Sequence, residues 1–204
     1  MPGAVVERGE RVTFRTVERD DTEFLQRATT DPRIRFPLGT FRHKNRAQRR
    51  EQLEAHAEND EVYAFVVCLD GEDESEAAAD PASGETASHD ATAGHPDEGE
   101  TTRIGAVKVH GVDGDRAFLS YWLLPAYHGE GYGGEAAALA VDYTFRTTSV
   151  HGMSAGAYDF NEASRGLLES LGCEEDVHVR ETNFVDGEYH DAYTYSLLRR
   201  EWAD

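Results

Sequence analysis

The residues with the clearest chemical potential lie in Tyr121–Ala137, YWLLPAYHGEGYGGEAA. An apolar run, Tyr121–Leu124, stops at Pro125. A glycine-rich turn follows at His128–Gly134, and then an alanine-rich run that reads as a helix. Glycines reach backbone angles closed to other residues, so successive N–H groups can point into one concavity. The unpaired N–H groups of a helix's first turn add partial positive charge. His128, Gly129, Glu130, Gly131, Tyr132, Gly133 and Gly134 therefore predict a cradle for a phosphate or pyrophosphate. The plainer alternative is an ordinary glycine-rich connection. The stretch is not a Walker P-loop, because no Lys-Ser/Thr follows the glycines.

The elements that must position this turn read as an alternation of strands and helices. Arg11–Val17 alternates polar and apolar residues and predicts a strand. Asp20 and Asp21 offer an N-cap for a short helix through about Ala28. Lys44–Glu58 reads as a second helix with a thin apolar face and a basic start: Arg42, His43, Lys44, Arg46, Arg49 and Arg50. That cluster is either a solvated helix face or a contact to an acidic acceptor or a cofactor phosphate. Strands are predicted at Glu61–Leu69, Arg103–His110, Ala117–Leu124, Val150–Ala157, Val177–Phe184 and Tyr189–Leu198. A helix over Gly134–Thr147 follows the glycine turn, and Asn161 is an N-cap for a helix ending at Gly172. The order implies an α/β protein with a mixed six- to seven-stranded sheet and helices on both faces.

Composition bounds the class. The chain has 204 residues and a net charge of −20, and Lys44 and Lys108 are its only lysines. So acidic a surface with so little lysine resembles a halophile's protein, because at molar salt the Debye length falls to ~3 Å and the charge is screened. It argues against general nucleic-acid binding, which wants a basic face. No apolar run approaches the roughly 20 residues of a membrane span. The start, MPGAVVERGERV, lacks the pattern of a signal peptide, so the expected location is cytoplasmic. Cys68 and Cys173 sit in apolar settings and the nine histidines are scattered, so no metal site is expected. From Asp70 to Thr102 there are 11 acidic residues and no large apolar one. This stretch predicts a disordered acidic loop, at about 70–102, inserted into a single domain spanning 1–204.

Three segments in order resemble the GNAT superfamily of N-acetyltransferases, within it the branch of bacterial ribosomal-protein N-terminal acetyltransferases. They are YWLLPAYHGEGYGGEA, NEASRGLLESLGC (Asn161–Cys173) and VDGEYHDAYTYSLLRREW (Val185–Trp202). The resemblance implies acetyl-CoA as co-substrate and transfer of its acetyl group to a primary amine, either a protein N-terminus or a small amine. A non-catalytic acyl-CoA-binding module is the alternative, and the protein is expected as a monomer or homodimer. In the family the strands corresponding to Ala117–Leu124 and Val150–Ala157 splay apart around the pantetheine arm. The resemblance thus assigns the cofactor-facing backbone to Trp122, Leu123 and Leu124, and the pyrophosphate to His128–Gly134. Asn161 would reach the pantetheine or hold the splay open. His128 and Glu130 replace residues that are usually basic or polar in that loop. Many members carry a tyrosine acid seven residues after the asparagine, where this chain has Leu168. Ser164 is the implied partner of the leaving sulfur. The branch's relay carboxylate aligns with Asn183; Glu181, two residues earlier and so on the same face of a strand, is a candidate base, with water as the alternative.

Overall fold

The computed structural model describes residues 3–57, 60–70 and 101–202. The acidic insertion expected as a disordered loop lies, over 71–100, outside the described residues. Eight strands form one sheet: β1 (Val5–Arg8), β2 (Thr13–Thr16), β3 (Val62–Asp70), β4 (Thr101–His110), β5 (Arg116–Leu123), β6 (Gly152–Tyr158), β7 (Glu174–Val185) and β8 (Glu188–Leu198). Their spatial order is β1-β2-β3-β4-β5-β6-β8-β7. The strand missing from the sequence reading is β1, four residues that pair with β2 at the sheet edge. Among the described residues there are six α-helices: α1 (Thr22–Thr30), α2 (Pro32–Arg35), α3 (Arg46–Ala57), α4 (Tyr132–Thr147), α5 (Glu162–Ser170) and α6 (Arg199–Trp202).

Every neighbouring pair is antiparallel except β5 and β6, which α4 connects as a crossover. This parallel pair is short. It runs from Arg116↔Gly152 to Leu119↔Ala155 and then stops, although β5 continues to Leu123 and β6 to Tyr158. On their outer sides the two strands stay paired: Leu123 with Gly105 of β4, and Tyr158 with Ala192 of β8. The sheet therefore opens into a wedge beyond Leu119 while both halves remain braced.

Strand alternation sorts β5 between two faces. Trp122 packs on Phe24 of α1, with ring centroids 5.3 Å apart. On the other face Tyr63 and Phe65 of β3 meet Tyr143 of α4 edge-on. Small residues let α4 lie close: Ala136, Ala137 and Ala140 are all buried in its contact with the sheet. Before α1, buried Asp21 ion-pairs with Arg103 of β4 at 2.7 Å. Burial pushes the Asp21 carboxyl up, although the Glu18 backbone N–H and Arg103 act against it.

At the start of β4, two residues before Arg103, Asp70 gathers four donors. Its Oδ1 accepts from Arg15 and from Thr101 Oγ1, each at 2.8 Å, and its Oδ2 from Thr13 Oγ1 at 2.8 Å and Arg8 at 3.0 Å. Asp70 and Thr101 are also cross-strand partners, so the two ends of the insertion leave the sheet side by side. Both cysteines are free. Burial pushes the thiols of Cys68 and Cys173 up to about 12 and about 11, so neither is a thiolate nucleophile at neutral pH. Among the described residues no helix is long and apolar enough to cross a membrane.

Candidate active site

The wedge between β5 and β6 opens a cleft of about 800 Å³. It is lined by Tyr121, Trp122 and Leu123 of β5, by Gly156–Tyr158 of β6, by the glycine turn, and by Asn161, Ser164 and Leu167 of the α5 region. Pro125 ends β5 and starts a single 3-10 turn, Pro125–Tyr127, which delivers the chain to the glycines. Gly129 and Gly131 both take left-handed angles, φ 84° and 86°. Gly131 is the N-cap of α4 and supplies no side chain to close the helix. The first intrahelical bond is Glu135 N–H to Gly131 O at 3.1 Å, so the N–H groups of Tyr132, Gly133 and Gly134 precede it. A Cβ at Gly133 would lie 3.3 Å from Leu167 Cδ1, a tight contact that Leu167 would have to relieve. His128, Gly129, Gly131, Gly133 and Gly134 line one end of the cleft at the start of α4.

The cradle has a cation that the sequence did not reveal. Arg11, in the β1–β2 turn, donates to the carbonyl of Glu130 at 2.9 Å and lies over the Tyr132 ring at 4.7 Å. Its Nε also bonds Glu135 at 3.0 Å, while Glu135 Oε1 accepts the Arg11 and Val12 backbone N–H groups at 2.6 and 2.9 Å. The acidic side chain of Glu130 is exposed and does not line the cleft. His128 donates from Nε2 to Leu123 O at 3.1 Å. Its ring thereby fastens the glycine turn to the end of β5.

Main-chain direction revises which β5 groups face the wedge. Leu124 N–H bonds Ile104 O at 2.7 Å, and Trp122 is the register partner of Ala106. Backbone groups of alternate residues point to alternate sides of a strand. Trp122 and Leu124 therefore turn their N–H and C=O groups toward β4, and those of Tyr121 and Leu123 turn toward the wedge. Of these, Leu123 O is already held by His128. Trp122 still lines the cleft with its side chain, whereas Leu124 is buried in the core.

At the α5 side, Asn161 Oδ1 caps the helix by accepting Ser164 N–H at 3.2 Å. Ser164 Oγ lies 2.9 Å from the hydroxyl of Tyr121. Burial pushes that phenol up to about 12, so it stays protonated, and its bond to Ser164 only partly offsets the shift. Leu168 is a core residue at 1% exposure. Asn183 lines the cleft, whereas Glu181 does not. Between Val179↔Ala192 and Asn183↔His190 strand β7 is bulged, which breaks the alternation that would have put Glu181 on the face of Asn183. Glu181 is exposed with φ 47°, and its N–H bonds Asp191 Oδ1 at 2.8 Å.

The fold is a mixed α/β sheet whose strands β5 and β6 part beside the glycine-rich start of the crossover helix α4. Residues 11–174 match the family described as Acetyltransferase (GNAT) domain, and the chain belongs to that family. Over 100 residues it is 31% identical to the putative ribosomal N-acetyltransferase YdaF of Bacillus subtilis, a match covering 48% of this chain and 55% of that protein. It is 28% identical over 86 residues to the ribosomal protein uS5-alanine N-acetyltransferase of Escherichia coli, covering 42% and 44% of the two chains. The chain thus spans about half the length of the relatives it matches. A spermidine N-acetyltransferase from Vibrio cholerae, in complex with CoA and spermine, shares the fold. Its TM-score is 0.76 at 18% identity, covering 95% of this chain and 99% of that one.

Proposed function

We propose that the protein transfers the acetyl group of acetyl-CoA to a primary amine by direct attack. The observation that carries this reading is the wedge, with strand edges left open beside the first-turn N–H groups of Gly133 and Gly134 in α4. The residues present fit the co-substrate. Tyr121 and Leu123 offer main-chain groups toward the wedge for a pantetheine arm. His128–Gly134 offers N–H groups for a pyrophosphate, with Arg11 adding positive charge beside them. The bound thioester would supply an activated acyl group, so the chain's task is to orient an amine and stabilise charge.

Ser164 is placed to hydrogen-bond a leaving thiolate. Tyr121, protonated across the working pH range, donates to Ser164 as Ser164 donates onward. Glu181 is not carried forward as the base. A protein N-terminal amine has a pKa of roughly 8 and is partly neutral near pH 7, so water can accept its proton. The acceptor is a protein N-terminus or a small amine, and the net charge of −20 suits activity in concentrated salt.

Release of free CoA from acetyl-CoA, followed across a panel of amines and N-terminal peptides in molar KCl, tests the reading. Turnover with any acceptor supports it. Tight acetyl-CoA binding without turnover on any acceptor would instead identify a binding module that retains the fold.

A further inference from the structure

A second cavity, of about 1220 Å³, lies on the α1–α3 face of the sheet. It meets the cofactor cleft at Leu38, Ser120 and Trp122, which line both. Its inner wall carries an unusual concentration of positive charge. Lys108 and Arg49 line it, and Lys44, the chain's only other lysine, stands close enough to act on Lys108. Gln52 Oε1 accepts from Lys44 Nζ and from Arg49 Nη1, each at 2.9 Å, so the acceptor holding these two cations is a neutral amide. Arg49 Nε is buried with no hydrogen-bond partner.

Like charges gathered at a half-buried place repel one another and favour an anion among them. The strain is visible at Lys108. Burial, and then the charges of Arg49 and Lys44, push its ammonium down to about 8. Burial likewise lowers Arg49. The carboxylates that also line this cavity, Glu18, Asp20, Glu54 and Asp60, are exposed. Glu18 accepts from Thr16 Oγ1 at 2.7 Å, and Glu54 pairs with Arg19 at 3.8 Å. The cavity thus has an anionic rim and a cationic inner wall, in a chain of net charge −20.

The register ties this wall to the reacting centre. Lys108 of β4 is the direct cross-strand partner of Ser120. Residues so paired share a face, with Cα atoms about 5 Å apart. The next residue of β5, Tyr121, reaches Ser164 on the other face of the sheet. An anion at Lys108 would therefore lie on the order of 10 Å from an amine at the wedge, given strand spacing of about 5 Å.

We propose that Arg49 and Lys108, with Lys44 beside them, bind the carboxylate of an anionic amine acceptor whose amine enters the wedge past Ser120 and Trp122. The acceptor half of this statement rests on the acetyl-transfer reading, whereas the carboxylate site itself does not. The acceptor class is an amine bearing a carboxylate several bonds away: an N-terminal peptide with an acidic early residue, or a free acidic amino acid. Polyamines, which carry only positive charge, are disfavoured.

The test is direct binding, by calorimetry with CoA present, of Ala-Glu-Glu, Ala-Gln-Gln and Ala-Lys-Lys peptides, free glutamate and spermidine. It is run at the lowest KCl concentration that keeps the protein folded. The acidic peptide or glutamate binds about tenfold or more tighter than the glutamine peptide, the range of one charge-assisted hydrogen bond. That ratio falls toward one in Lys108→Gln and in Arg49→Gln, with circular dichroism checking the fold. The wild-type ratio decides the matter if either variant fails to fold. Tighter binding of glutamate than of the peptide identifies a free amino acid as the source, and the reverse identifies a peptide. Equal binding of the acidic and glutamine peptides, or tighter binding of spermidine, overturns the carboxylate site. Carboxylate preference without acetyl transfer leaves the site standing and removes the transferase reading. Transfer to all amines without charge preference does the opposite.

Discussion

Replacing Gly131 by valine places a β-branched side chain at φ 86°, where only glycine is at ease. The left-handed region costs an L-residue about 1–2 kcal/mol, and a β-branched residue stands at the upper end. The added Cβ would also lie 3.1 Å from Arg11 Nη2, pressing the guanidinium away from the Glu130 carbonyl that it holds at 2.9 Å. If the turn keeps its shape, the cost falls on stability. If the turn relaxes, the cost falls on acetyl-CoA binding, because the cradle must be re-formed around the anion. In that case about 1–2 kcal/mol corresponds to roughly a 5- to 30-fold loss of affinity. The turn is held at Glu130 O by Arg11 and at its start by His128 on Leu123 O, with Gly131 between the two holds, so we expect it to relax there and most of the loss to appear in binding. The control is Gly187→Val, at φ 100° in the β7–β8 turn, which costs stability without touching the wedge. Calorimetric titration of acetyl-CoA and thermal unfolding, on both variants, separate the two terms. Unchanged acetyl-CoA affinity in Gly131→Val, alongside a stability loss clearly smaller than that of Gly187→Val, would mean that the turn relaxed at no cost to binding and would refute the cradle.

Ser164→Ala is expected to lower turnover more than acetyl-CoA affinity, and Tyr121→Phe to do so through the same 2.9 Å contact; equal steady-state kinetics in both would remove the pair from the mechanism. Arg103→Met leaves the carboxylate of Asp21, at 0% exposure, without its guanidinium, and should destabilise the fold by about 3 kcal/mol in urea titration. Burial alone would raise the Asp70 carboxyl, but hydrogen bonds from Arg15, Thr101 and Thr13 hold it below its ordinary value. Its contribution to stability is therefore complete above the ordinary carboxylate pKa and is lost as pH falls through the lower, folded value. Asp70→Asn should flatten the acid limb of the stability-pH curve in that window. The surface charge predicts a midpoint of thermal unfolding that rises with KCl; a midpoint independent of salt would count against the halophilic reading.

The sequence carried the elements that announce themselves locally. Long strands such as Val62–Asp70, with an unbroken apolar run, and α4 behind its glycines were legible. Strand β1 was not, because VVER is four residues long and its strand character comes from pairing with β2. The turn itself was only half informative. Gly129, Gly131 and Gly134 carry the GxGxxG spacing shared by several nucleotide-binding folds, and what distinguishes this site is the wedge beside them. That wedge is a property of where β5–β6 pairing stops, which no residue type marks. The remaining misses concern long-range geometry. Arg11 meets Glu130, and Tyr121 meets Ser164, across stretches of chain that local patterns do not span. Glu181 was misplaced because a bulge without glycine or proline to signal it interrupts the strand's two-residue period.

The junction at Asp70 has a consequence for how this protein can vary. Its carboxylate fastens β2, β3 and β4 at one point, so both ends of the 71–100 segment are held together by residues of the sheet. The work of bringing those ends together is done by the knot, and the closure entropy of what hangs from it grows only with the logarithm of its length, about 0.6 kcal/mol per doubling. Ten of the chain's acidic residues lie in that segment, half of the net charge. Changing the length or charge of 71–100 is therefore expected to retune solubility in a given salt while the wedge keeps its geometry, because both anchor points of the segment are fixed in the sheet.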